Sequence, residues 1–137
     1  MAAEKMKTME KAKKIHLEYA LNATSKTILW NAISTPNGLE GWFADQVESN
    51  GKHVTFHWGK SECRQAEVTA IRAYSHIRFH WKDDGISYNM FEIKMSYSEL
   101  TNDFVLEVID YCAPDDEDDL IDIWDKSIKT LRQTCGI

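Results

Sequence analysis

The spacing of the reactive side chains in this sequence decides what chemistry each set can do. His53 and His57, and His76 and His80, are pairs four residues apart. On a helix that spacing aims two imidazoles at one ion. Here the pairs are threaded between alternating apolar residues (Val54, Phe56 and Trp58; Ile77, Phe79 and Trp81), which is the period of a strand. Four strand residues separate Cα atoms by roughly 13 Å, whereas the ligands of one zinc ion all lie about 2 Å from it. The histidines are therefore expected on a solvated outer face, with His76 opposite Glu92, and no metal is expected. Cys63, Cys112 and Cys135 are odd in number and lack the two-residue spacing of a zinc knuckle or redox pair, so they read as free thiols. The sequence has neither a Gly-x-Ser-x-Gly elbow nor a glycine-rich phosphate loop. No catalytic residue and no cofactor are expected.

Two further sets concern binding. Trp42, Phe43, Phe56, Trp58, Phe79, Trp81, Phe91 and Trp124 fall on positions expected to face the interior, together with Ile93 and Ile128. Such a set either packs a core or walls a hydrophobic pocket. The small residues Ala66 and Ala70 would leave room, and the tryptophans would remove it, so the sequence leaves both readings open. Polar residues on the same inward rows (Tyr19, Arg72, Ser87 and Asn89) need a partner or a ligand, because an unpaired buried polar group costs roughly 1–3 kcal/mol. The second set is acidic. Eleven of the 22 acidic residues lie between Glu99 and Asp125 with no Lys or Arg among them. Asp115, Asp116, Glu117, Asp118 and Asp119 open a helix, where the dipole favours negative charge, and the same surface would suit a basic protein partner. The EF-hand spacing that calcium needs is absent.

Several elements must position these groups. Ile15, Leu17 and Tyr19 alternate with polar neighbours, predicting a strand. Ser25 is a suitable N-cap for a helix over 26–34, with Ile28, Leu29, Ala32 and Ile33 on its apolar side. Pro36 and Gly38 stop that helix, and a second short one is predicted over 39–44. Asn50-Gly51 predicts a two-residue hairpin turn setting Val47 opposite Val54. After a turn at Gly59-Lys60-Ser61, the row Ala66, Val68 and Ala70 carries Arg72 inward, unless a bulge in so long a strand flips it. The strands of Ile77, Phe79 and Trp81 and of Phe91, Ile93, Met95 and Tyr97 meet near Asp83-Asp84-Gly85. A three-residue loop there sets Ile77 opposite Phe91 and Phe79 opposite Asn89. Phe104, Leu106 and Val108 form the last strand before Pro114. Leu120, Trp124, Ile128, Leu131 and Cys135 then make one stripe of a helix reaching about residue 134, widened by Ile121.

Composition narrows the class. Hydrophobic residues make up 43% and charged residues 28% of the 137-residue chain, as in an ordinary globular domain. A formal charge of −6 argues against nucleic acid as a partner. No run approaches the ~20 apolar residues of a membrane span. Met1–Lys14 has five lysines, two glutamates and no apolar block, so residues 1–12 are expected to be a basic, flexible arm and 13–137 a single domain, with a cytoplasmic location. The elements sum to an α+β domain. Its curved antiparallel sheet wraps the long C-terminal helix, and two short helices follow the first strand.

This order resembles the helix-grip fold of the START-like, birch-pollen-allergen-like superfamily. Ile33-Ser34-Thr35-Pro36, Gly38-Leu39 and Gly41-Trp42-Phe43-Ala44 are similar to the motif after the first helix in the branch named after an activator of a heat-shock chaperone ATPase. Phe56-His57-Trp58-Gly59, and Trp124, Ile128 and Leu131 with Gly136, resemble its second strand and closing helix. The resemblance spans residues 13–137 and implies a cavity between sheet and long helix that takes a small hydrophobic or amphipathic molecule, lipid-like or aromatic, without catalysis. Trp42, Phe43, Phe56, Trp58, Phe79, Trp81, Phe91, Ile93, Trp124 and Ile128 would line it, with Asn89, Tyr19 and Arg72 orienting a polar end. The alternative it implies is a protein-interaction module of the chaperone-activator type using the acidic surface. A cyclase-like enzyme is third, with only Arg72 and Tyr19 as candidate groups.

Overall fold

The computed structural model describes residues 12–22, 25–82 and 89–137. Strand β1 spans Lys13–Leu21 and buries Ile15 and Leu21 on the row that alternation predicts. Helix α1 spans Lys26–Ser34 and is capped by Ser25, whose Oγ accepts a hydrogen bond from the Ile28 N–H at 3.3 Å. Its buried side is Leu29, Trp30, Ala32 and Ile33, while Ile28 is 53% exposed. Trp30 therefore takes the inward place expected of Ile28, and its ring meets Tyr74 at 6.1 Å.

The second helix is also displaced from its expected position. It covers Pro36–Leu39 (α2) rather than 39–44, because proline fits the first helical position and Thr35 Oγ1 accepts the Gly38 N–H at 2.9 Å. A Cβ on Gly38 would lie 1.8 Å from the Asn31 carbonyl oxygen, so only glycine lets α2 fold back this closely on α1. Residues 41–44 form a turn closed by the Gly41 N–H on the Ala44 carbonyl at 2.8 Å.

The remaining strands are β2 (Gln46–Asn50), β3 (His53–Trp58), β4 (Glu62–Arg72), β5 (His76–Trp81), β6 (Met90–Ser98) and β7 (Asp103–Cys112). With β1 they make one antiparallel sheet in the order β1-β7-β6-β5-β4-β3-β2. Two hairpin registers differ from expectation by two residues. Asn50 pairs with His53, leaving Gly51 (φ 64°) and Lys52 as the loop, so Val47 faces Phe56 and not Val54. Ile77 faces Ile93 and Phe79 faces Phe91, where their rings stack at 4.8 Å. Asn89 consequently sits beside Trp81, its carbonyl accepting the Trp81 N–H at 2.9 Å. Glu92 faces Arg78, which donates to it at 3.2 Å, in place of His76. A two-residue slip preserves parity, so both apolar rows still point inward. The proposed loop at 83–85 and Ser87 lie outside the described residues, as does the N-terminal arm except Ala12.

One parity expectation fails. Between Val68 and Ala70 the β4–β5 register shifts, Val68 pairing with Phe79 and Ala70 with Arg78. This bulge turns the strand over. Ala70 leaves the inward row, and Arg72, opposite His76, is exposed.

A 3-10 turn at Pro114–Asp116 leads into α3 (Glu117–Cys135), which ends at left-handed Gly136. Trp124, Ile128 and Leu131 are buried against the sheet. Polar ties fix the lie of the helix: the Tyr19 hydroxyl donates to Asp125 Oδ1 at 2.7 Å, and Arg132 Nη2 to the Ala20 carbonyl at 2.9 Å. Sheet and helix thus share one core, and the protein is a helix-grip α+β domain. No helix among the described residues is long and apolar enough to cross a membrane.

The α1–α2 contact gives a direct test. Gly38→Ala drives a Cβ into backbone that has no rotamer to yield, so it should cost roughly 1–3 kcal/mol or more, read as a lowered midpoint in urea unfolding with an unchanged slope.

Candidate ligand cavity

A cavity of about 660 Å³ opens between the inner sheet face, the first half of α3 and the turn at residues 41–45. Trp58, Trp81 and Phe91 project into it from β3, β5 and β6, and Trp42 and Phe43 from the turn. Leu120, Trp124, Ser127 and Thr130, at helical spacing on α3, close the opposite wall. Exposed Gly41, Asp45, Glu62, Ile123 and Lys126 form its rim.

Three tryptophans hold this architecture through their indole N–H groups. Trp42 donates to the Ala32 carbonyl at 2.9 Å and Trp58 to the Phe43 carbonyl at 2.8 Å, which pins the turn between α1 and β3. Trp124 donates to Asp110 Oδ2 at 2.8 Å, joining α3 to β7. Phe43, the tip of the turn, lies 5.1 Å from Phe91 in a stacked arrangement and 5.7 Å from Trp124. The Arg64 guanidinium covers the face of Trp81 at 3.9 Å from the ring centroid, a cation–π contact.

Of the residues expected to line a pocket, Trp42, Phe43, Trp58, Trp81, Asn89, Phe91 and Trp124 border this cavity. Phe56, Phe79, Ile93 and Ile128 are buried in the core and do not border it. Tyr19 is half-buried on β1 and engaged with Asp125, and burial together with that bond pushes its phenol well above the usual tyrosine range. Arg72 is exposed on the far side of the bulge. Ala66 is buried but does not reach the cavity, and Ala70 faces the other way.

Sequence reasoning passed over the two charged groups that the cavity walls contain, Arg64 and Asp110. Both were legible as parity. Asp110 continues the inward row of Leu106 and Val108, and Arg64 precedes Ala66 on the inward row of β4, opposite Phe56. Each stands at the end of an apolar row, where a reading keyed to apolar members stops counting.

Asp110 is the unusual titratable group here. Burial raises its carboxyl to about 6, against the lowering effects of the Trp124 indole N–H, the Tyr111 backbone N–H at 2.7 Å and the positive charge of Arg64. Lys126 on the rim is paired with Asp122 at 2.9 Å.

The outer sheet face carries the histidines, as the strand period implies. Among the described residues, His16, Glu18 and Glu107 bring three ligand-type atoms within 4.8 Å of one another on that face. Glu18 and Glu107 are cross-strand partners and His16 is hydrogen-bonded to Glu107 at 3.1 Å, so the trio is a surface cluster on the sheet face away from the cavity. In the acidic turn, Glu117 binds Lys13 at 2.6 Å, while Asp115, Asp116, Asp118 and Asp119 are exposed.

An antiparallel sheet curved on one long helix, with a cavity between them, defines a helix-grip scaffold. The START-like superfamily domain model matches residues 9–137, and the chain belongs to that superfamily. A protein from Bacteroides fragilis, solved in solution by NMR, is 63% identical over 93% of this chain and 93% of its own, with a TM-score of 0.66. The Aha1 dimer from Colwellia psychrerythraea, at 13% identity over 91% of this chain and 97% of its own, has a TM-score of 0.74. An 11% identical protein from Bacillus thuringiensis, covering 91% and 100%, also scores 0.74. The last two share the fold. No curated protein matches the chain.

The raised Asp110 carboxyl has a signed consequence. Between its ordinary value of 3.8 and about 6 the native state binds more protons than the unfolded one. Native stability from this group is therefore gained as pH falls through that window and lost as pH rises through it. Asp110→Asn, whose amide oxygen can still accept from Trp124, should be more stable than wild type at neutral pH by about 2 kcal/mol, allowing for partial exposure. That advantage should vanish near pH ~4, as followed by thermal unfolding across pH.

Proposed function

We propose that this domain binds, without catalysis, a small hydrophobic or amphipathic molecule between the sheet and α3. The observation that carries this reading is the cavity of about 660 Å³ left open beside a close-packed aromatic core. Its size falls within the ~300–1,000 Å³ of small-molecule sites, and its walls set the aromatic faces of Trp42, Phe43, Trp58, Trp81, Phe91 and Trp124 beside several polar and charged groups. Aromatic burial supplies affinity at roughly 25 cal/mol per Å² of apolar surface removed from water. Asn89, Arg64 and Asp110 give the polar end of a ligand something to meet.

The test fills the space without disturbing the core. Ser127 faces the cavity from α3, and Ser127→Trp would occupy it. Native mass spectrometry and thermal-shift screening against lipids and aromatics should show bound species and stabilisation for wild type. The variant should stay folded and lose both. Absence of any bound species or shift for wild type would exclude the reading.

A further inference from the structure

We propose that Asp110 is the specificity-determining anchor of this cavity, and that the molecule it selects is a planar aromatic carrying a hydroxyl or amine donor. The inference rests on the ligand-binding reading and narrows it. An ionised carboxylate only accepts hydrogen bonds, at roughly four lone-pair positions on its two oxygens. Among the described residues, two donors reach Asp110, the Trp124 indole N–H on Oδ2 and the Tyr111 backbone N–H on Oδ1. Acceptor capacity is left over on a side chain that borders the cavity. A ligand O–H or N–H is the complement to that capacity.

The charges around the cavity point the same way. Among the described residues, Asp45, Glu62 and Asp110 border it against Arg64 and Lys126. The Lys126 ammonium is paired with Asp122, and the Arg64 guanidinium lies on the face of Trp81. The balance is negative, which disfavours an anionic head such as a fatty-acid carboxylate and favours a neutral or cationic donor. The walls set the shape of the rest. Phe43, Phe91 and Trp124 form a cluster with centroids 5.1 to 5.9 Å apart, and such faces reward a flat ring over a flexible acyl chain.

Matched naphthalenes test this in the full chain. Tryptophan fluorescence titrations at about pH 8, where the carboxylate is ionised, compare 2-naphthol, 2-(aminomethyl)naphthalene, 2-methoxynaphthalene and laurate. In wild type at least one donor probe should bind about tenfold or more tighter than the methoxy isostere, as a hydrogen bond to a charged group allows. The two donor probes decide between hydroxyl and amine. In Asp110→Asn that ratio should collapse to about threefold or less, with the methoxy compound's affinity little changed. Equal binding of donor and methoxy probes, a ratio unaltered in the variant, or laurate binding tightest would overturn the anchor and leave the ligand-binding reading standing. Failure of every probe to bind wild type would overturn both. The wild-type comparison stands alone should the variant fold poorly.

Discussion

An antiparallel sheet with a single apolar face has to bury that face, and α3 is the long amphipathic helix that does so. Leu106, Val108, Ile93, Phe79, Ile77 and Phe56 on the sheet and Ile128 and Leu131 on the helix are all 2% exposed or less. Apolar burial alone would let the helix slide or rotate by a turn, since it has no direction. The polar ties supply direction. Lys13 holds Glu117 at the start of α3, Asp110 holds Trp124 near its middle, and Ala20 holds Arg132 near its end. Two of these partners are on β1 and one on β7, which are adjacent at one edge of the sheet. The helix is thus fastened along one edge, and the cavity opens beside its first half, towards the turn at residues 41–45.

That geometry explains why many bulky aromatics coexist with open space. Phe56 and Phe79 pack within the core, 5.7 Å apart at a steep angle, and do not border the cavity. Phe43 reaches down from the turn onto Phe91 and stops there, because the Trp58 indole holds its carbonyl and the Trp42 indole anchors the neighbouring residue to α1. The Trp42, Trp58 and Trp124 indoles each spend their polar edge on a backbone carbonyl or a carboxylate, and that fixes their orientation. A tryptophan held by its N–H cannot swing to fill a neighbouring void, so the rings wall the space they would otherwise occupy.

The fold was legible because period-two alternation and one long helical stripe are strong signals. Ile15 through Leu21, the β5 and β6 rows and the Trp124-Ile128-Leu131 stripe all lie where spacing puts them. Register was not legible to the residue. Slips of two leave every side chain on its own face, so alternation cannot distinguish them, and the choice falls to local contacts such as the Phe79–Phe91 stack. Arg72 was misplaced for a different reason. An eleven-residue strand accumulates twist, and the bulge after Val68 that relieves it has no glycine to announce it. The cavity's charged residues, Arg64 and Asp110, stand at the ends of apolar rows, where alternation of apolar side chains no longer marks the inward face.

The Asp110–Trp124 pair is hard to account for by stability. Removing either partner alone is costly or constrained: a leucine at 110 would orphan a buried indole N–H, and a phenylalanine at 124 would leave the carboxylate one donor short. Replacing both with apolar groups of similar shape removes the desolvation cost and the hydrogen bond together, and such double replacements are commonly neutral or stabilising. The burial that raises the Asp110 carboxyl is itself a penalty on the ionised form, so what the pair gives the scaffold is the direction of α3 and not net stability. Local choices that run against the surrounding pattern concentrate where function demands them. The pair sits where the helix meets the cavity wall, so a donor arriving in the cavity would bear on the same carboxylate that holds α3 to the sheet.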